Sequence, residues 1–161
     1  MKENKKILEN RTYDELKIGD SGEYYRTCSE SDILLMAATS GDENPIHINE
    51  AFAAESPFGE RIAHGIWTGS LVSAAVGLNL PGPGTIYLKQ EFNFKRPVKI
   101  NDSLHVTVIV AEKREKNRVL LSVKVVNQNN KIVLDGTSLV IAPVEKIITQ
   151  RTSLPTISIE R

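Results

Sequence analysis

A chain of 161 residues, 40% hydrophobic and 25% charged, can bury one substantial core, and its length argues against two domains. Lys and Arg together number 20, as do Asp and Glu, so there is no net basic charge to hold a nucleic-acid backbone; nucleic acid is not an expected partner. Cys28 is the one cysteine, which excludes an internal disulfide, and no Cys/His grouping has the spacing of a structural zinc site. A buried, inert thiol is expected at Cys28. The N-terminal MKENKKILEN is basic but lacks the apolar region and cleavage site of a secretory signal, so a cytoplasmic location is expected.

In chain order, residues 1–12 read as a polar extension, frayed or loosely docked. Gly19-Asp20-Ser21-Gly22 is a turn by composition and leads into a short strand over 23–27. Ser29, followed three residues on by Asp32 and then by ILLMAA, fits an N-cap with a capping box, and this helix stops near Gly41. Asn49, Glu50 and AFAA predict a second, short helix that ends before Pro57.

Residues 63–80, AHGIWTGSLVSAAVGLNL, mix apolar and small side chains without a clear polar face, which predicts a helix enclosed by other structure. The stretch is too short and too interrupted by Thr68, Ser70, Ser73 and Asn79 to cross a bilayer, which needs ~20 apolar residues. No membrane association is expected. Each internal glycine costs roughly 1 kcal/mol of helix propensity relative to Ala, so close packing must offset Gly69 and Gly77.

Leu80-Pro81-Gly82-Pro83-Gly84 ends that helix, and strands follow. TIYLKQEFNFKRPV alternates in part. SLHVTVIVAEK places Leu104, Val106, Val108 and Val110 on one face, and 118–143 reads as two strands around a turn at 127–130. The expected fold class is α+β: an antiparallel β-sheet wrapped around a central helix. Residues 144–161 lose periodicity and read as a tail or linker.

Residues 42–47, Asp-Glu-Asn-Pro-Ile-His, are the most informative for chemistry. Pro45 bars a regular helix through their middle, so a turn is expected to bring the Asp42 carboxylate and the His47 imidazole towards one point as an acid/base pair. Asp and Asn also serve loop turns, which is the structural alternative. At the head of the long helix, Gly65 is placed either to offer its N–H to a substrate carbonyl as an oxyanion donor or simply to ease a tight helix entry. His64 reads first as a structural hydrogen-bonding residue. Ser73, among apolar neighbours, needs a partner if buried; Asp42, His47 and its own helix's carbonyls are the alternatives.

Three stretches in this order, 42–47 (DENPIH), 48–65 (INEAFAAESPFGERIAHG) and 80–102 (LPGPGTIYLKQEFNFKRPVKIND), resemble the MaoC-like hydratases, a hot-dog-fold family that includes the (R)-specific enoyl-CoA hydratases. The resemblance covers 13–143, which is the expected hot-dog domain. By position it implies Asp42 and His47 as the catalytic dyad, Gly65 as backbone donor to the thioester carbonyl, and Ser73 as a serine supporting the dyad. It implies substrate contacts at Asn44, Ile62, Ala63, His64 and Val76, with Leu78 a further candidate for the acyl pocket.

The implied reaction is reversible addition of water to a trans-2-enoyl thioester, giving the (R)-3-hydroxyacyl thioester. It needs no metal or redox cofactor; coenzyme A or acyl carrier protein is the substrate's thiol carrier. Lys89, Lys95, Arg96 and Lys99 are candidates to meet the carrier's phosphates. The resemblance also implies a homodimer. Residues 142–161 are similar to the linker after the hydratase half in fusions with a phosphate acyltransferase. Within the fold, the alternatives are a 3-hydroxyacyl-carrier-protein dehydratase, a non-catalytic acyl-CoA-binding module, and a thioesterase, against which the absence of Asp or Glu from 65–80 counts.

Overall fold

The period-2 pattern becomes one buried sheet face. In the computed structural model, which describes residues 7–158, Leu104, Val106, Val108 and Val110 of β4 (Ser103–Arg114) are all buried. Val119, Leu121, Val123 and Val125 of β5 (Arg118–Val126) continue that face, as alternation on a half-buried sheet requires. With β2 (Ser21–Thr27), β3 (Ile86–Phe94) and β6 (Ile132–Ile141), they form a five-stranded antiparallel sheet in the order β2-β4-β5-β6-β3. The β5–β6 turn is held at Asn127, whose Oδ1 accepts from Asn129 N–H and Lys131 N–H at 3.1 and 3.0 Å.

The helices pack on that sheet as the sequence patterns require. α1 (Glu30–Ser40) starts with the expected capping box: Asp32 N–H donates to Ser29 Oγ at 3.1 Å, and Ser29 N–H donates to Asp32 Oδ2 at 2.9 Å. It ends at Gly41, whose positive φ of 76° favours glycine. α4 (Gly65–Leu78) is the central helix, burying Trp67, Thr68, Gly69, Leu71, Val72, Ala75 and Val76. A Cβ at Gly69 would stand 2.6 Å from the Phe92 ring, and one at Gly65 3.1 Å from that of Phe94. These two glycines let β3 aromatic rings lie directly on the helix, the close packing that offsets their low propensity.

Three expectations need correction. α4 is not wholly enclosed: Ile66, Ser70 and Ser73 form an exposed stripe at helical spacing. Pro45 does not keep 41–48 free of helix; it opens the one-turn α2 (Pro45–Ile48) at its first position, where the missing N–H costs nothing. α3 (Glu50–Ala54) follows, capped by Asn49 as expected.

The third correction concerns the chain ends. Of the polar extension, residues 7–12 are docked: β1 (Ile7–Glu9) pairs antiparallel with β7 (Ile148–Gln150), inside the stretch read as a tail. Residues 1–6 lie outside the described residues. Asn10 is fully buried there and bonds to the chain at Pro83, Glu145 and Ile147.

Candidate active site

Residues 41–48 owe their shape to local hydrogen bonds. Asp42 N–H donates to Ser40 Oγ at 3.1 Å, and the Asp42 Oδ1 accepts from Asn44 N–H at 3.2 Å. Asn44 in turn caps α2, its Oδ1 accepting from Ile46 N–H at 3.2 Å. These short-range bonds set the carboxylate and the helix turn that carries His47 in one register.

The opposite wall is the segment entering α4. Ile62 bridges to Lys99, and Ala63 N–H donates to Val98 O at 2.8 Å, so the connection between β3 and β4 fixes it in place. His47 reaches across and bonds through Nδ1 to Ile62 O at 2.8 Å. A carbonyl only accepts, so Nδ1 carries the hydrogen and Nε2 of neutral His47 keeps its lone pair. His47 is 8% exposed. Burial, and next the neighbouring His64, hold its pKa below the ordinary 6.5, against the opposing effects of the Ile62 carbonyl and Asp42.

Asp42, His47 and His64 each bring a side-chain oxygen or nitrogen within 4.8 Å of the others. The two imidazoles stack, with centroids 3.8 Å apart and planes at 29°. Each ring also holds a backbone carbonyl through one nitrogen, which leaves one nitrogen of each ring for other chemistry. The arrangement suits proton handling better than coordination of a cation.

Gly65 opens α4 beside this group and is exposed; the Trp67 N–H donates to His64 O at 3.0 Å, while the Gly65 N–H, at the first helical position, has no acceptor within the helix. Of the other expected site residues, Asn44 is exposed, Ile62 half-buried, and Ala63, His64 and Val76 buried. Leu78 is half-buried. Ser73 lies on the exposed stripe of α4 and bonds to neither Asp42 nor His47 among the described residues. Trp67 is buried and Met36 packs against the core, consistent with plain core roles.

Lys89, Lys95 and Lys99 pair with Glu91, Asp135 and Glu60, while Arg96 donates to Ile132 O. Cys28 is fully buried, and burial pushes its thiol pKa up to about 12, which leaves no nucleophilic thiolate at neutral pH. Sequence inspection missed the Ile62 carbonyl as the group that sets the His47 tautomer. It also missed the stacking of His64 on His47. Both join residues 15 or more positions apart through backbone placement, which leaves no local pattern.

Residues 17–132 match the family described as MaoC like domain. The chain is 42% identical over 134 residues to the 3-hydroxybutyryl-CoA dehydratase of Methylorubrum extorquens, covering 81% of this chain and 83% of that protein. It is 38% identical to the (R)-specific enoyl-CoA hydratase of Rhodospirillum rubrum, covering 81% and 91% of the two chains. The solved structure of R-hydratase PhaJ1 from Pseudomonas aeruginosa in the unliganded form superposes with a TM-score of 0.92 at 48% identity, covering 96% of this chain and 99% of that one. With this sheet, this central helix and these matches, the chain belongs to the MaoC-like family of hot-dog-fold hydratases and dehydratases.

Proposed function

We propose that the protein is an (R)-specific enoyl-CoA hydratase, a hydro-lyase that adds water to trans-2-enoyl-CoA and gives (R)-3-hydroxyacyl-CoA. The observation that carries this reading is the meeting of Asp42 and neutral His47 beside the N-terminus of α4. The His47 Nε2 lone pair and the Asp42 carboxylate accept hydrogen bonds from the two hydrogens of one water. Its oxygen adds to C3, one proton passes to the pair, and the pair returns one proton to C2. The proton shared between the two groups belongs to the pair.

Negative charge that develops on the thioester oxygen is met by the Gly65 N–H at the positive end of α4, with no side chain in the way. The reaction runs on protein groups alone, without metal or redox cofactor, and coenzyme A is the thiol carrier. Asn44, Ile62 and Ala63 border the reacting end, and Val76 approaches the acyl chain from the core side. Ser73, exposed on α4 and bonded to neither Asp42 nor His47 among the described residues, is given no part in the dyad.

The protein acts as a homodimer. β3 is an open sheet edge with Ile86, Tyr87, Leu88 and Phe94 exposed, which favours pairing with a second copy. Sedimentation equilibrium tests the dimer.

Hydration of crotonyl-CoA, followed by loss of enoyl-thioester absorbance with chiral analysis of the product, tests the reaction. Turnover to the (R)-product, abolished in Asp42→Asn and His47→Gln while both stay folded, is the expected result. No turnover on crotonyl-CoA or longer enoyl-CoAs, or undiminished turnover in the variants, overturns it.

A further inference from the structure

His64 is 1% exposed, so no substrate atom reaches its ring from solvent. Its Nε2 lies 2.9 Å from the backbone carbonyl of Asp42. A carbonyl can only accept, so Nε2 carries the hydrogen and Nδ1 is left as a lone pair. That Nδ1 is buried and has no partner among the described residues. The ring also lies flat on His47 at 3.8 Å between centroids, and its residue is the N-cap of α4, immediately before Gly65.

One residue therefore touches three parts of the site, two through its side chain and one through its backbone. It holds the carbonyl of the residue that carries the acid, it backs the imidazole that carries the base, and its backbone starts the helix that offers the oxyanion donor. Nothing local ties these together: Asp42 is 22 residues away in the chain. A cap role does not explain the side chain, because it makes no cap hydrogen bond. A purely structural histidine would be expected to satisfy both ring nitrogens. The unpartnered Nδ1 has a cost that a structural role alone does not explain, since neither hydrogen nor lone pair there meets a partner among the described residues.

We infer that His64 is a positioning residue: as the neutral Nε2–H tautomer it clamps the Asp42 carbonyl and the His47 ring in fixed register with the N-terminus of α4. The inference goes beyond the hydratase reading but uses that reaction as one of its measurements. Gln at this position reproduces a donor at the Nε2 position without the ring. Phe keeps a ring for stacking without the donor.

In imidazole nitrogen NMR of the isotope-labelled full chain near neutral pH, His64 is expected as the Nε2–H tautomer and His47 as Nδ1–H. In His64→Phe the His47 Nδ1–H signal broadens or exchanges away, and in His64→Gln it persists. In crotonyl-CoA hydration, His64→Phe loses on the order of 10²-fold in kcat with KM within about threefold, the scale of a small misplacement of catalytic groups. His64→Gln recovers to within about tenfold of the parent. Circular dichroism melts separate these losses from unfolding, and a variant that fails to fold is replaced by the comparison of the other with the parent.

His64 found as Nδ1–H or as imidazolium overturns the inference, as does equal kcat in His64→Phe and His64→Gln. If the parent protein shows no hydration while the tautomers and the His47 signal behave as stated, the hydratase reading falls and the clamp stands.

Discussion

Two buried polar side chains, Asn10 in the terminal clasp and His64 in the site, are equally hidden from solvent and differ in how completely they are satisfied. Asn10 donates through Nδ2 to Pro83 O at 3.2 Å and Glu145 O at 2.9 Å, and its Oδ1 accepts from Ile147 N–H at 3.0 Å. Its own backbone is bonded as well, to Ile147 O and to Lys146 Nζ. His64 has one ring nitrogen bonded and one with no partner among the described residues. A fully satisfied network rigidifies, and a partly satisfied one persists where the arrangement serves something besides stability. The clasp serves architecture and, on the proposed function, the histidine pair serves the reacting site.

The contrast breaks most sharply if activity and stability fail to separate. Asp42→Asn and His47→Gln are expected to lower kcat/KM on crotonyl-CoA by about 10³-fold, the range for loss of a positioned acid or base. Their urea midpoints should stay close to that of the parent. Asn10→Ala is expected to do the reverse. It leaves the half-buried Ile147 N–H and two carbonyls without their partner, and should cost about 2 kcal/mol in urea unfolding while kcat is kept. A large kcat loss in Asn10→Ala would show that the clasp belongs to the site.

The same division between committed and uncommitted positions is expected within α4. Gly69→Ala drives a methyl to 2.6 Å from the Phe92 ring and should destabilise by about 1–3 kcal/mol. Gly77→Ala meets nothing within 4 Å and should stabilise by up to about 1 kcal/mol through helix propensity. Thermal melts of the two variants side by side measure the difference.

The smallest effect sharpens the electrostatics. Because His47 is held below its ordinary pKa of 6.5, the acid limb of kcat/KM should have its midpoint below that value. The unfolded chain binds this proton more readily than the folded one. Stability from neutral His47 is therefore complete above about pH 6.5 and is lost as pH falls through the lower folded pKa. Denaturant midpoints at neutral and mildly acid pH should diverge less in His47→Gln than in the parent.

Much of this molecule is legible in the chain because its causes are local. The Ser29–Asp32 capping box, the alternation in β4 and the Asn127 turn each act within a few residues, so their side-chain order announces them. The 42–47 hexamer placed the candidate dyad for the same reason: the Asp42 and Asn44 turns that shape it are short-range. Pro45 misled because a proline that stops a helix from within can also begin one.

Tertiary structure alone decided the rest. β1 and β7 are three residues each and pair across about the whole chain, too short to show a period and bound by backbone bonds that any sequence can make. The exposed stripe on α4 depends on which way the helix turns against the sheet, set by Gly65 and Gly69 beneath the Phe94 and Phe92 rings. The tautomer of His47 and the stacking of His64 come from carbonyls delivered by distant backbone. Composition and periodicity determine which segments form and what chemistry they carry, whereas the packing of those segments determines which hydrogen faces which lone pair.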